Sequence, residues 1–274
     1  MDFTDQFARI DRAEYLGRQL SEDIQAWVAA GHVGAEASIA SDRMSWELRL
    51  KVREQMPMGL WGLQFSEAIH HLRATLDNFA TSIAIQSGIS RPRTLREIYF
   101  PICQNEADWH SPATQGKISA LPQSYRDAIE SIQPFHRLKE DAGSVSQDLL
   151  VILSLLDNKD KHHLQVKPLM QWGSLGHEMT VEFQTEAGAA ASVPPDNEVF
   201  APLLQDGELL LRGNTKGAIA QIKGALQLQA QVQVALSDGR DFGLLDLLTA
   251  QCGYIRTVVS HIASMGGQPV GLTE

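Results

Sequence analysis

An alternating segment in the first third of the chain decides the fold class. Residues 44–53 have the sequence MSWELRLKVR, in which apolar and polar side chains alternate strictly from Met44 to Arg53. A period of two is typical of a β-strand with one buried face and one exposed face. A lone strand leaves its backbone hydrogen-bonding groups unpaired, so we expect this one to pair with strands elsewhere in the chain.

The partner strands are predicted in the C-terminal half. Residues 179–183 alternate, and residues 226–236, LQLQAQVQVAL, alternate over a full strand. Between them, Asp206 and Gly207 form a turn signal before a further strand at 208–212. The sequence therefore predicts a mostly antiparallel sheet of about four strands that joins residues 44–53 to the C-terminal strands.

Four amphipathic helices are predicted from apolar residues that recur at intervals of three and four. They cover residues 5–30, 65–86, 146–163 and 242–265. Pro57, Gly59 and Gly62 are expected to interrupt the chain before the second helix. Residues 90–137 contain recurring prolines, which predicts an irregular connector with one helix at about 122–132.

These elements predict an α+β fold, with a helical layer of about four main helices packed on the sheet. We expect a single domain over residues 1–265, which ends in the closing helix 242–265. Residues 1–167 are helix-rich and residues 168–240 are strand-rich. Residues 266–274 are predicted to be a flexible tail.

Composition narrows the class of protein. The 274 residues are 43% hydrophobic and 20% charged, an ordinary globular balance. The formal net charge of −10 weighs against binding to duplex nucleic acid or to an anionic membrane. No apolar stretch approaches the ~20 residues that span a bilayer, and no secretory signal is visible. Cys103 and Cys252 fit no metal or redox spacing, so a cytoplasmic protein with free thiols is expected.

The first candidate functional residues lie on the helix 65–86. His70, Arg73 and Asp77 are three and four positions apart, which places them on one stripe at the border of the apolar face. A border position suits a polar site against a core, and it equally suits a surface salt bridge between Arg73 and Asp77.

The second candidate cluster lies at the end of the helix 146–163. Leu149, Leu153 and Leu156 define a buried line that continues onto Asp160 and His163. Ionisable residues that continue a leucine line need either a helix end in solvent or polar partners on another element. Two interpretations follow: the helix leaves the core after Leu156, or these residues share a cleft with the His70 stripe. In the cleft, Asp–His contacts tune imidazole protonation. The polar residues of this helix end are Asp157, Asp160, Lys161, His162 and His163.

A metal site is an alternative use of the same residues. Glu67 and His70, like Asp160 and His163, have the carboxylate-x-x-His spacing of di-iron bundles. No cofactor is predicted otherwise, and a divalent metal belongs to this alternative alone. The sequence contains no GxGxxG, GxxxxGK[ST], GxSxG or HExxH motif. The remaining histidines occur singly and are expected at the surface or in satisfied core positions: His32, His110, His136, His177 and His261.

Four segments resemble a family of uncharacterised bacterial proteins. They are 69–78 (IHHLRATLDN), 100–102 (FPI), 132–135 (IQPF) and 153–162 (LSLLDNKDKH), which resemble in the same order that family's LHNLRxxLDH, FPI, QPY and DKHR segments. The similarity covers most of residues 5–265. The chain departs from the pattern at His71, Asn78 and His163. The resemblance implies a polar signature that consists of His70, Arg73, Asp77, Asp160, Lys161 and His162.

The helical part also resembles HEPN domains remotely. Ribonuclease members of that group carry an Arg-x4–6-His motif on one helix, and no arginine precedes His162 at that spacing. If the two polar helices form a functional cleft, catalytic roles are predicted for His162, His70 and Asp160. In the same cleft, ligand-binding roles are predicted for Arg73, Asp77, Lys161 and His163.

Three functions are therefore considered. The predicted function is a binding or interaction protein with a polar cleft or hydrogen-bond network between two helices. The alternatives are a HEPN-like RNA- or nucleotide-binding protein with ribonuclease activity, and a metal-dependent helical-bundle oxidase. The expected partners are an anionic small molecule or RNA, with homodimer formation as a further expectation and no membrane.

Overall fold

The computed structural model describes residues 1–137, 144–160, 166–171, 179–200, 202, 204–224, 229–236 and 238–266. For residues 144, 159, 160, 166–171, 229 and 230 it describes the backbone alone.

Most helices of the described chain lie before residue 161, and most strands lie after residue 165. The helices are α1 Thr4–Ala29, α2 Met58–Gln86, α3 Pro92–Glu97, α4 Glu106–Trp109, α5 Pro112–Ile118, α6 Gln123–Ser131, α7 Ser144–Gln147, α8 Leu149–Asp160, α9 Glu186–Ala191 and α10 Leu244–Gly266, with a 3-10 turn at Pro134–His136. The strands are β1 Val33–Ile39, β2 Ser45–Val52, β3 Val166–Gln171, β4 Thr180–Phe183, β5 Asp196–Val199, β6 Leu209–Asn214, β7 Ile219–Lys223, β8 Gln229–Ala235 and β9 Asp241–Gly243.

The chain divides into two compact units. Unit 1 comprises Met1–Leu20, Leu60–Gln165 and Ala235–Glu274, and unit 2 comprises Ser21–Gly59 and Val166–Val234. Each unit is assembled from segments far apart in the sequence. The prediction of a single domain over residues 1–265 stays a prediction.

Unit 2 contains the predicted sheet. Its four strands have the order β1-β2-β6-β5, and every neighbouring pair is antiparallel. In β2, Trp46, Leu48 and Leu50 are buried, as the alternation predicts. The exposed face carries Glu47, which accepts hydrogen bonds from Arg49 and Arg212. The α+β class, an antiparallel sheet of about four strands and the pairing of residues 44–53 with the predicted strand at 208–212 are confirmed. The prediction was wrong for residues 179–183 and 226–236, because β4 pairs with β7 in a two-stranded sheet and β8 belongs to a three-stranded sheet of order β3-β8-β9.

The turn before β6 also follows its sequence signal. Gly207 has a φ of 86°, a left-handed conformation that glycine adopts without steric cost. Asp206 Oδ1 accepts a hydrogen bond of 2.8 Å from the Val52 backbone N–H, which ties the turn to the end of β2.

Strand β1 is absent from the sequence prediction for a physical reason. Its residues are half-buried or exposed and include the small residues Gly34, Ala35 and Ala37, so no apolar alternation marks it. It pairs with β2 over its full length, from Val33 opposite Val52 to Ile39 opposite Trp46.

Helices form the frame of unit 1. The stripe of α2 predicted to face the core is fully buried at Phe65, Ile69, Leu72, Leu76, Phe79 and Ile83. Helix α2 begins at Met58, earlier than predicted, and includes Gly59 and Gly62. Buried Trp61, which is 1% exposed, packs this first part of α2 in spite of the glycines.

The connector over residues 90–137 contains more helix than predicted. The predicted helix at 122–132 is confirmed as α6, and α3, α4 and α5 precede it. Pro92 and Pro112 lie in the first turns of α3 and α5, where a missing N–H is tolerated. The prolines therefore start short helices here.

The predicted helix 146–163 is interrupted. Asp148 separates α7 from α8, and its Oδ1 accepts a hydrogen bond of 2.8 Å from the Leu150 N–H. This bond caps α8. Residues 150–153 and Leu156 are buried, which confirms the buried line at Leu153 and Leu156, whereas Leu149 is half-buried. No helix in the part of the chain that the structure describes is long and apolar enough to cross a membrane.

Candidate functional site

Arg73 and Asp77 on α2 form a hydrogen-bonded cluster with the backbone of Phe100. Arg73 Nη2 donates to Asp77 Oδ1 and to the Phe100 carbonyl oxygen, both at 2.9 Å. Asp77 Oδ1 also accepts from the Phe100 N–H at 3.0 Å. The two side chains thus satisfy both backbone polar groups of Phe100, whose ring is buried. The salt bridge predicted between Arg73 and Asp77 is present. Helical spacing did not predict that both residues also bind the backbone of Phe100.

Gln133 holds the same segment from another element. Its side chain is buried and follows α6. Gln133 Oε1 accepts from the Cys103 N–H at 2.8 Å, and Nε2 donates to the carbonyl oxygens of Pro101 and Ile129, both at 3.1 Å. Residues 100–103 are therefore fixed to α2 at one end and to α6 at the other. We call this set of bonds the Phe100 frame: Arg73, Asp77, Gln133 and the backbone of residues 100–103.

Burial dominates the electrostatics of the frame. Removal of the Asp77 carboxyl from solvent raises its pKa above 3.8, although Arg73 and the Phe100 N–H act in the opposite direction. The nearby Asp157 carboxylate raises the pKa of Asp77 further. Burial also lowers the pKa of His71, whose Nδ1 has no hydrogen-bond partner among the described residues.

His70 is the one predicted catalytic residue whose side chain the structure describes. Its imidazole is 69% exposed, and Nδ1 lies 3.6 Å from Asp157 Oδ1 on α8. This contact brings the two predicted polar helices together, as the cleft interpretation requires. The distance exceeds that of a hydrogen bond, so Asp157 does not fix the orientation of the ring.

The other predicted site residues lie outside the described side chains. These are Asp160, Lys161, His162 and His163. Their roles as catalytic or ligand-binding groups stay predictions, as does the fate of the helix end after Leu156.

The two predicted metal ligands whose side chains the structure describes, Glu67 and His70, do not support the metal alternative. Glu67 Oε1 pairs with Arg12 at 3.1 Å and lies 3.7 Å from His71 Nε2. No group of three His, Cys, Asp or Glu residues in the described part of the chain is placed to hold a metal ion. The alternative set of Glu67, His70, Asp160 and His163 therefore stays a prediction.

A second polar cluster of unit 1 was missed by the sequence analysis. The Asp148 carboxylate has no exposed surface, and its Oδ2 accepts from Arg137 Nε at 2.7 Å. Arg137 Nη2 donates to the Tyr254 hydroxyl on α10 at 3.0 Å. Burial raises the pKa of Tyr254, and the Asp148 carboxylate adds to that rise. The one available sequence signal was Asp148 itself, a capping residue directly before the apolar run of α8.

A cavity of about 330 Å³ lies beside this cluster. We call it the Arg137 cavity. Gln133 of the Phe100 frame contributes to its wall, so frame and cavity share a residue. The volume is at the lower end of the range for small-molecule sites, ~300–1,000 Å³. The other lining residues are Ser131, Ile132, His136, Arg137, Tyr254, Thr257, Val258 and His261.

Comparison of the chain with protein-family models, with curated proteins and with solved structures finds no match.

Proposed function

We propose that this protein is a non-catalytic binding protein. In this proposal the polar residues of α2 belong to a structural network, and the ligand occupies the Arg137 cavity. The observation that carries the proposal is the position of Gln133, which anchors Pro101 and Cys103 and also forms part of the cavity wall. A wall fixed by three hydrogen bonds is preorganised, which lowers the entropic cost of binding.

The bonding of Arg73 and Asp77 supports a structural role. A phosphate-binding arginine needs donors directed at the ligand. Arg73 Nη2 instead donates to Asp77 and Phe100, and the Arg73 side chain is 17% exposed. Asp77 Oδ1 likewise accepts from two groups of the protein. Both residues hold backbone in place.

The geometry of His70 supports the same conclusion. A general acid or base acts through a positioned hydrogen bond. His70 is mostly exposed, and its Nδ1 lies 3.6 Å from Asp157 Oδ1, beyond the distance of a hydrogen bond. We therefore assign His70 to the surface of unit 1.

Thermal unfolding of an α2 variant tests the structural role. Asp77→Ala leaves the Phe100 N–H and Arg73 without this acceptor, which is expected to cost about 1–3 kcal/mol of unfolding free energy. Asp127→Ala on α6, whose residue is exposed, is the matched control and is expected to remain within about 0.5 kcal/mol of the wild type. An Asp77→Ala protein as stable as the wild type would contradict the proposal, because residues kept for chemistry are often neutral or costly for stability.

A cleavage assay tests the non-catalytic part. Wild type and His70→Ala are incubated with a labelled single-stranded RNA, and product is measured against a buffer control. We expect no cleavage above buffer in either sample. Cleavage by the wild type that falls about tenfold or more in His70→Ala would instead establish His70 as a catalytic residue.

A further inference from the structure

The lining of the Arg137 cavity defines the chemistry of its ligand. The polar residues that can donate to a ligand are His136 on the 3-10 turn, Arg137 directly after it, and Tyr254 and His261 on α10. The hydroxyl groups of Ser131 and Thr257 donate instead to the carbonyl oxygens of Ala128 and Gly253. No carboxylate is among the described lining residues. The Asp148 carboxylate lies behind Arg137, has no exposed surface, and is neutralised by that guanidinium. Because this pair carries no net charge, the preference for an anion rests on the N–H donors of His136, Arg137 and His261 in the wall.

Two nitrogens of the Arg137 guanidinium are hydrogen-bonded within the protein, and the third has no such bond in the described part of the chain. Nε and Nη2 bond to Asp148 and Tyr254, which fixes the plane of the guanidinium. Among the described residues, Nη1 has no hydrogen-bond partner, and the side chain is 47% exposed. An arginine fixed by second-layer bonds presents its remaining donor without further loss of side-chain entropy.

Two apolar side chains complete the cavity. Ile132 and Val258 contribute the apolar part of the wall, and Val258 is 3% exposed. A ligand that fills about 330 Å³ therefore needs an apolar body of limited size as well as its anionic group.

We propose that the Arg137 cavity binds a small phosphate monoester, with the phosphate held by Arg137, His136 and His261 and the organic group against Ile132 and Val258. This inference rests on the proposed function and adds the ligand class to it. Phosphate suits the cavity because its oxygens accept several hydrogen bonds from donors that converge from different directions. Arg137, His136 and the α10 residues provide such convergence from two elements.

Phenyl phosphate is the probe that tests the proposal, because it combines a compact ring with a phosphate monoester. Binding to the full chain is measured by calorimetry, and the methyl resonances of Ile132 and Val258 are followed by NMR. We expect saturable binding with a Kd of about 1 mM or tighter, together with shifts of both methyl groups. His136→Ala and His261→Ala are each expected to weaken binding by about tenfold, the loss of one charge-assisted hydrogen bond.

His110→Ala is the matched control. His110 belongs to unit 1, is exposed like His136 and His261, and does not line the cavity. Its variant is expected to bind phenyl phosphate like the wild type. Because all three histidines are exposed, we expect each variant to fold, and the methyl shifts report on the site in the wild type without any substitution.

The contrary outcomes are distinct. Phenyl phosphate that binds equally well to His136→Ala and His261→Ala, without methyl shifts, would place the phosphate elsewhere and overturn the inference. Methyl shifts caused by phenol with none caused by phenyl phosphate would overturn the ligand class while the cavity remained a ligand site. A failure of the proposed function has another signature: an unchanged stability of Asp77→Ala, or RNA cleavage that depends on His70.

Discussion

Replacement of Gln133 by leucine is the most direct test of the Phe100 frame. The two side chains are similar in volume, so Gln133→Leu removes hydrogen bonds with little change in packing. Three backbone groups lose their Gln133 partner: the Cys103 N–H and the carbonyl oxygens of Pro101 and Ile129. Gln133 is 1% exposed, so water does not replace these partners without rearrangement.

The expected cost follows from the number of groups left unpaired. Each buried group costs about 1–3 kcal/mol, and partial hydration after relaxation reduces the sum, so we expect a loss of about 3–6 kcal/mol. This is a large part of the ~5–15 kcal/mol that stabilises a typical domain. Gln123→Leu is the control, because Gln123 is an exposed glutamine on α6, the helix that Gln133 follows. It is expected to change the unfolding free energy by about 0.5 kcal/mol or less.

Two measurements check this prediction. Equilibrium unfolding in denaturant gives the change in free energy, which requires an unchanged m-value to be interpreted as stability. Hydrogen exchange at the Cys103 amide reports on the bond itself, and its protection is expected to fall in Gln133→Leu and to persist in Gln123→Leu. A Gln133→Leu protein within about 1 kcal/mol of the wild type, with Cys103 still protected, would refute the frame as a source of stability.

Three further predictions concern the buried ionisable groups. Because burial raises the folded-state pKa of Asp77 above 3.8, its contribution to stability is greatest below that pH and declines as the pH rises through and above it. Asp77→Asn should flatten this decline in denaturation experiments between about pH 3 and about pH 7. Arg137→Met should lower the free energy of unfolding by about 2–3 kcal/mol. This loss is smaller than that for breaking a fully buried ion pair, because the Arg137 side chain is half exposed. The double variant Arg137→Met/Asp148→Asn should recover part of the loss, as measured by thermal unfolding. Burial raises the pKa of Cys252 to about 12 and also raises that of Cys103, so iodoacetamide should modify neither thiol until the protein is unfolded. Mass spectrometry of the folded protein checks this, and modification without unfolding would contradict it.

The sequence predicted those helices and strands that have one buried face and one exposed face. Strand β2 has one buried and one exposed face, and α2 and α10 each bury a continuous stripe, so periodicity identified all three. Strand β1 lacks that contrast because both of its faces are largely accessible. Its partner β2 supplies the hydrogen bonds that define it, and those pairings leave no local trace in residues 33–39.

In the candidate site, too, the local sequence did not predict contacts between residues far apart in the chain. Helical spacing placed Arg73 and Asp77 on one stripe, and the structure confirms their contact. Spacing gave no information about Phe100, because that residue reaches α2 from an irregular segment. Gln133 was visible within the segment 132–135, but only its long-range bonds to Pro101 and Cys103 distinguish it from a surface glutamine. Single histidines carry still less information, and His136 and His261 line one cavity from elements far apart in the chain.

The difference between the frame and the cavity lies in what their polar groups contact. Arg73 and Asp77 direct their bonds to backbone, which a folded chain must satisfy wherever it is buried. Arg137 directs two nitrogens inward to Asp148 and Tyr254 and keeps half of its side chain in solvent. The side chain of Arg73 is 17% exposed and that of Arg137 is 47% exposed, so the internal bonds of Arg137 orient a group that still faces outward. Polar residues concentrated on one helix are therefore a weaker indication of a ligand site than a partly exposed arginine whose inner bonds are already made.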